Sequence, residues 1–183
     1  MTPQEMDNHE MIVEGRAITF NSPTEIFEYD GVTYYEVISE RALDKTDMSD
    51  VIFKYNHLDS IPVLARTRGG SLQLIKDEKG LLVRAKLFDT SVARDLYTLI
   101  KEGAIDKMSF AFVIAANGEE YDTKTRTRTI TNIKRLYDVS AVDIPAYDDT
   151  SISARSFFEL EREKERTLER EFLRKQLLLK TYF

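Results

Sequence analysis

The sequence of 183 residues contains no cysteine, only two histidines and no long apolar run. Without cysteine the chain has no disulfide, no thiolate zinc site and no cysteine nucleophile, and the expected compartment is a reducing cytosol. No stretch approaches the roughly 20 apolar residues that a membrane-spanning helix needs. Residues 1–10 carry acidic rather than basic side chains and lead into no long apolar run, so neither secretion nor membrane insertion is indicated.

An excess of positive charge is also missing. The chain has 26 Lys and Arg against 32 Asp and Glu, which gives a net charge of -6. Nucleic acid is therefore not an expected partner, because phosphate binding requires clustered positive charge. A phosphate-binding P-loop, a dinucleotide-binding glycine fingerprint and an H-E-x-x-H zinc helix are all absent. We therefore expect neither a cofactor nor a metal ion.

The composition of the chain indicates one domain followed by an additional C-terminal segment. A hydrophobic content of 42% is enough for one sizeable core. The composition changes near Arg155, where short apolar segments give way to a dense charged segment. The sequence thus predicts a disordered N-terminal segment over residues 1–11, a domain over residues 12–155 and a charged helical tail over residues 156–183.

The domain is predicted to be mainly β, within the α+β class. Eight short segments are rich in β-branched and aromatic residues and are bounded by turn-forming residues. They are residues 12–20, 32–38, 51–55, 72–75, 81–88, 108–115, 125–133 and 136–144. Between the fifth and sixth segments, apolar residues recur at helical spacing and predict one helix, at Val92, Leu96, Leu99 and Ile100. Capping residues precede it and Gly103 ends it, and a shorter helix is expected around residues 39–43.

The charged tail has two interpretations. Four arginines lie four residues apart and share one face of the predicted helix, beside a row of glutamates. Because Leu168 and Phe172 are few apolar anchors, the helix is expected to be solvent-exposed. One interpretation is a solvated helix without a specific partner. The other is a tether or arm that binds a partner protein.

Candidate chemistry begins with His57, because the other histidine, His9, lies in a polar terminus. His57 follows the strand-like residues 51–55, and a strand end can hold a side chain firmly while it faces a cleft. A histidine at this position could serve as a general base. The structural alternative is a polar surface or capping residue.

A candidate nucleophile is Ser109. Large and small side chains alternate over residues 106–113, and Ser109 shares its side with the smaller Ala111 and Val113. That side leaves space in which an extended peptide could meet the hydroxyl. The structural alternative is a buried serine that bonds to the backbone.

An acidic partner could come from Asp138 or Asp143, which alternation places on opposite faces of one strand-like segment. The segment is apolar on both faces, so a carboxylate there needs a hydrogen-bonding partner such as an imidazole N–H. A structural ion pair with a Lys or Arg would satisfy it as well. The residues alone leave open which of the two carboxylates meets His57.

A serine, a histidine and a carboxylate together can perform nucleophilic catalysis. The imidazole takes the proton of the hydroxyl, while the carboxylate fixes the tautomer and stabilises the imidazolium. The order in this chain is His, Ser, acid, which differs from the orders of trypsin-like, subtilisin-like and hydrolase-fold enzymes. The G-x-S-x-G elbow is absent around Ser109. Those folds are therefore not indicated.

Seven segments, taken in order, carry a family resemblance. They are residues 14–23, 56–57, 89–97, 101–103, 107–112, 136–140 and 144–146. As a set they resemble the HK97-type prohead protease family of tailed phages, which looks like a distant relative of assemblin, the herpesvirus capsid-maturation protease. The resemblance covers most of residues 13–154.

The resemblance implies a serine endopeptidase with an antiparallel β-barrel-like core flanked by helices. It assigns the nucleophile to Ser109, the base to His57 and the acid to Asp138, where many members carry Glu. The implied enzyme works inside the immature capsid, in the host cytoplasm. It cleaves scaffold protein or the scaffolding region of the major capsid protein, and finally itself.

The same resemblance bears on partners, whereas the expectation for the oxyanion site comes from position in the sequence. The major capsid protein and a scaffold protein are the expected partners, and self-association is possible. Backbone N–H groups of residues 145–150 are the proposed oxyanion donors, because this segment follows the strand of the acid. The alternative function is a non-catalytic module for capsid assembly or scaffolding.

Overall fold

The computed structural model of the chain describes residues 2–4, 10–143 and 151–181, with the side chains of residues 10–143 and 157–175. The chain divides into two units, Met1–Tyr147 and Asp148–Phe183. The first unit contains all twelve described strands and the candidate site, and the second contains one long helix.

The first unit is built mainly from short strands. In chain order they are β1 Thr2–Gln4, β2 Ile12–Thr19, β3 Thr24–Tyr29, β4 Val32–Ile38, β5 Ile52–Tyr55, β6 Ala65–Arg66, β7 Leu72–Asp77, β8 Gly80–Lys86, β9 Lys107–Ile114, β10 Glu119–Asp122, β11 Thr127–Ile130 and β12 Ile133–Val142. Helix α1 spans Ser91–Lys101 between β8 and β9, and a single 3₁₀ turn spans Thr67–Gly69. These elements confirm the α+β class and the eight predicted strand segments.

The strands form three four-stranded sheets. Their orders are β1-β2-β8-β7, β10-β11-β4-β3 and β6-β5-β12-β9. Two neighbouring pairs run parallel, β11 with β4 and β12 with β5, and the other pairs are antiparallel. The predicted antiparallel β-barrel-like core is therefore wrong, because among the described strands each sheet is open and two sheets are mixed. The apolar pattern of a segment indicates a strand but not its neighbour or their relative direction.

Helix α1 begins and ends where its sequence predicts. The Thr90 side chain accepts a hydrogen bond from the Ala93 N–H at 3.2 Å, which caps the first turn. Ala93, Leu96 and Ile100 are buried along one face. Gly103 follows the last turn with φ +75°, the left-handed conformation that glycine adopts without strain.

Four strands, β1, β3, β6 and β10, were not predicted from the sequence. Each is an edge strand of its sheet. Strand β10 reads Glu-Glu-Tyr-Asp and β3 carries two glutamates, so neither has the apolar alternation of a half-buried strand. Strand β6 has only two residues. An edge strand with charged residues is hard to recognise in a sequence, because part of its surface remains in solvent and its side chains need not alternate between apolar and polar.

One smaller prediction differs from the structure. Residues 39–43 form successive turns rather than a helix, with hydrogen bonds from the Ala42 N–H to the Ser39 carbonyl and from the Asp44 N–H to the Arg41 carbonyl. In the N-terminal segment predicted to be disordered, β1 pairs with β2.

The core of the first unit is one continuous apolar cluster. It includes Ile18 and Leu81 from the β1-β2-β8-β7 sheet, Ile130 from β11, and Phe53 and Val139 from β5 and β12. All three sheets and α1 contribute to it. The cluster therefore fixes the strands that carry the candidate site.

The second unit contains helix α2, Ser151–Thr181, and confirms the predicted charged C-terminal helix. Within it, Leu168 is 66% and Phe172 is 61% exposed, as expected for a helix with a charged surface. Among the described helices, none is long and apolar enough to cross a membrane.

Candidate active site

The β6-β5-β12-β9 sheet has an apolar face and a polar face. On the apolar face Val139 of β12 is in register with Phe53 of β5, and both are fully buried. One residue further along, Ser140 lies between Lys54 of β5 and Ser109 of β9. These three polar residues form one row across the sheet, which we call the polar row. Strand alternation therefore places the predicted nucleophile on the side opposite the core.

Asp138 lies on the same polar face, two residues before Ser140. It is in register with Ile52 of β5 and Ala111 of β9, directly after an irregularity in the β9–β12 pairing. Its side chain is only 10% exposed. A carboxylate so poorly solvated requires hydrogen-bond donors, and a histidine and a serine supply them.

His57 is presented by a tight turn at the end of β5. The Leu58 N–H bonds to the Tyr55 carbonyl at 3.1 Å, and Asn56 and His57 have φ values of 51° and 55°. Two left-handed residues in succession define a type I′ turn, a conformation that asparagine tolerates well. The Asn56 N–H also donates to the Ala141 carbonyl at 2.9 Å, so the turn is fastened to β12.

The His57 and Asp138 side chains meet directly. The distance from Nδ1 of His57 to Oδ1 of Asp138 is 2.6 Å, and the imidazole is 20% exposed. Among the described residues, no group bonds to the other ring nitrogen, Nε2, although it is buried. A proton on Nδ1 leaves the lone pair of Nε2 available to accept a proton from another group.

Ser109 is 8% exposed and lies opposite Ser140 in the β9–β12 pairing. Within the described part of the chain, no hydrogen bond joins its hydroxyl to His57. The structure thus brings His57 and Asp138 into contact and places Ser109 on the same face of the sheet. Hydrogen bonds between catalytic groups are often long without substrate and shorten when it binds.

The second candidate acid, Asp143, contacts the turn instead. Its Oδ2 accepts a hydrogen bond of 3.4 Å from the Tyr55 hydroxyl, and its N–H donates to Oδ1 of Asn56 at 3.2 Å. Burial and the nearby Asp143 carboxylate raise the pKa of the Tyr55 hydroxyl, which favours its protonated, donating form. The segment of residues 145–150, proposed for the oxyanion donors, lies outside the described residues.

Two further residues of the site were not singled out from the sequence. Ser140 is fully buried, and alternation alone could have placed it beside Asp138. Lys54, with a side chain only 10% exposed, forms an ion pair with Asp59, two residues after His57. No local signal could have indicated Lys54, because its place in the polar row depends on the parallel pairing of β5 with β12.

Serine, histidine and aspartate on one face of a sheet are the functional groups of a serine hydrolase. The chain matches the family model of the Caudovirus prohead serine proteases over residues 1–165. No curated protein and no solved structure gave a match. The chain therefore belongs to the Caudovirus prohead serine protease family and is a serine protease of phage capsid maturation.

Replacing Asn56 by alanine should both destabilise the fold and weaken the site. Alanine in the left-handed conformation costs about 1–2 kcal/mol, and the amide oxygen that accepts from Asp143 is lost. We expect the free energy of unfolding in urea to fall by about that amount and the reactivity of the site to fall with it.

Two control variants separate these effects. Asn56→Gly keeps the turn accessible and should retain more reactivity than Asn56→Ala. Asn21 also has a left-handed backbone, at φ 53°, and Asn21→Ala should lower stability without changing reactivity. Equal reactivity in Asn56→Ala and Asn21→Ala would contradict a role for the turn in holding His57.

Proposed function

We propose that the chain is an endopeptidase in which Ser109 is the nucleophile, His57 the general base and Asp138 the residue that orients the imidazole. The observation that supports this most strongly is the 2.6 Å contact between Nδ1 of His57 and Asp138, with the buried Nε2 free of partners among the described residues. A histidine held in this way has its basic nitrogen available for a serine.

The proposed reaction proceeds through an acyl-enzyme. Oγ of Ser109 attacks the peptide carbonyl while Nε2 of His57 takes the hydroxyl proton. The imidazolium then gives that proton to the leaving amine, and the C–N bond breaks. Water hydrolyses the ester by the same two proton transfers. Asp138 remains ionised throughout and stabilises the imidazolium.

The proposed substrates are scaffold protein or the scaffolding region of the major capsid protein, and the protease itself. Family membership supports capsid or scaffold protein as the partner. In this proposal residues 12–155 carry the activity inside the immature capsid, and residues 156–183 serve as a charged tail. Backbone N–H groups within the segment of residues 145–150 are proposed as the oxyanion donors, except at Pro145, which has no N–H.

Labelling with a fluorophosphonate tests the nucleophile directly. Trypsin should release residues 108–124, in which Ser109 is the only serine. We expect the adduct in that peptide, and we expect heat-denatured protein to remain unlabelled, because only the folded site activates the hydroxyl. An adduct in residues 136–155, which contain Ser140, would instead contradict the assignment of Ser109.

Co-expression with the capsid protein of the same phage tests the substrate. Mass spectrometry of the products should show new termini in the capsid or scaffold protein and in the protease. Binding without any cleavage would overturn the endopeptidase proposal and favour the alternative of an assembly module.

A further inference from the structure

Ser140 occupies the position where the acid, the base and the strand of the nucleophile meet. Its Oγ lies 2.9 Å from Oδ1 of Asp138 and 3.2 Å from Nδ1 of His57. The same Oδ1 lies 2.6 Å from Nδ1. Ser140 is fully buried and is the cross-strand neighbour of Ser109. One hydroxyl therefore contacts both members of the acid–base pair beside the proposed nucleophile.

The three distances define where the protons lie. If Nδ1 carried no proton, its lone pair would face the carboxylate oxygen at 2.6 Å, which is electrostatically unfavourable. Nδ1 therefore donates to Oδ1 of Asp138. The Ser140 hydroxyl also donates to Oδ1, and its lone pair faces the Nδ1–H. With two donors on one oxygen, the carboxylate is held in line with the imidazole.

We propose that Ser140 is a positioning residue of the site, an inference that rests on the proposed function. By donating to Asp138 it keeps the carboxylate directed at Nδ1, and so keeps Nε2 as the basic nitrogen. It also lowers the attraction of the carboxylate for the imidazolium proton, because a hydrogen bond to a charged group stabilises that charge. A purely structural serine would affect stability but neither of these properties.

Replacing Ser140 by alanine should lower kcat by about ten-fold and leave KM for a peptide substrate within about two-fold. The acid limb of the kcat/KM pH profile should shift to higher pH by about half to one unit. The sign follows from the loss of a donor, because a less stabilised carboxylate holds the imidazolium proton more tightly. Ser140→Thr, which keeps the hydroxyl, should restore the position of the acid limb.

Ser71→Ala is the matched control for loss of a serine hydroxyl away from the site. Its Oγ accepts from the Arg66 N–H at 2.9 Å, so the variant should lose stability with an unchanged pH profile. A folded Ser140→Ala protein with the wild-type kcat and acid limb would overturn the proposal. The proposal would also be overturned if Ser140→Thr had as low a kcat as Ser140→Ala while both variants unfolded at the wild-type melting temperature.

A readout without turnover separates this inference from the proposed function. In the Ser109→Ala background, the Nδ1–H proton of His57 should give a downfield NMR signal, and adding Ser140→Ala should shift or broaden it. Absence of labelling at Ser109 in the wild type would count against the proposed function alone. An identical Nδ1–H signal with and without the Ser140 hydroxyl would count against the positioning role alone.

Discussion

Alanine at position 109 is expected to reduce peptide cleavage by roughly 10⁴- to 10⁶-fold, because the serine oxygen is the atom proposed to form the acyl bond. Removing it should hardly affect the fold. Alanine suits the β9 backbone at this buried position, as Ala111 does on the same face of the sheet. We expect a change in unfolding free energy below about 1 kcal/mol.

The measurement combines processing of co-expressed capsid protein, fluorophosphonate labelling and thermal unfolding. Ser71→Ala serves as the control, since Ser71 lies outside the polar row, directly before β7, and its hydroxyl accepts a hydrogen bond from the Arg66 N–H. Both variants should remain folded, but only Ser109→Ala should lose processing and labelling. Processing at the wild-type rate in Ser109→Ala would exclude Ser109 as the nucleophile.

Much of the fold could be predicted because its signals are local. Strand β4 has the bounds that its alternating apolar residues predict, and α1 is bounded by a threonine cap and Gly103. The sheet partners could not be predicted in the same way. The parallel pairing of β5 with β12 joins segments more than eighty residues apart, as Asp138 with Ile52 illustrates, and no local pattern specifies it.

The candidate site was predictable in composition but not in contacts. The resemblance assigned His57, Ser109 and Asp138, and the residues alone left Asp138 and Asp143 as equal candidates. Only the pairing of β5 with β12 brings the His57 turn to the polar face, where Asp138 points. The Asn-His pair was not recognised as a type I′ turn, because asparagine is typical of such turns but histidine is not.

Gly80 should be among the least replaceable residues of the first unit. A Cβ atom at this position would lie 1.8 Å from the carbonyl oxygen of Ile18, and the backbone has φ +150°, which only glycine adopts readily. The clash is with backbone, so a side-chain rotation cannot relieve it. Gly80→Ala should therefore cost about 4 kcal/mol or more, which denaturant unfolding would measure.

Gly69→Ala is the matched control, because no atom lies within 4 Å of the added Cβ. It should be neutral or stabilising by about 0.4–1 kcal/mol. The Gly80→Ala effect should also reach the site, since Ile18 and Leu81 belong to the same apolar cluster as Phe53 and Val139. We therefore expect labelling of Ser109 to disappear along the same denaturant curve as the fold. Equal unfolding midpoints for the two glycine variants would show that β2 and β8 do not approach each other as closely as described.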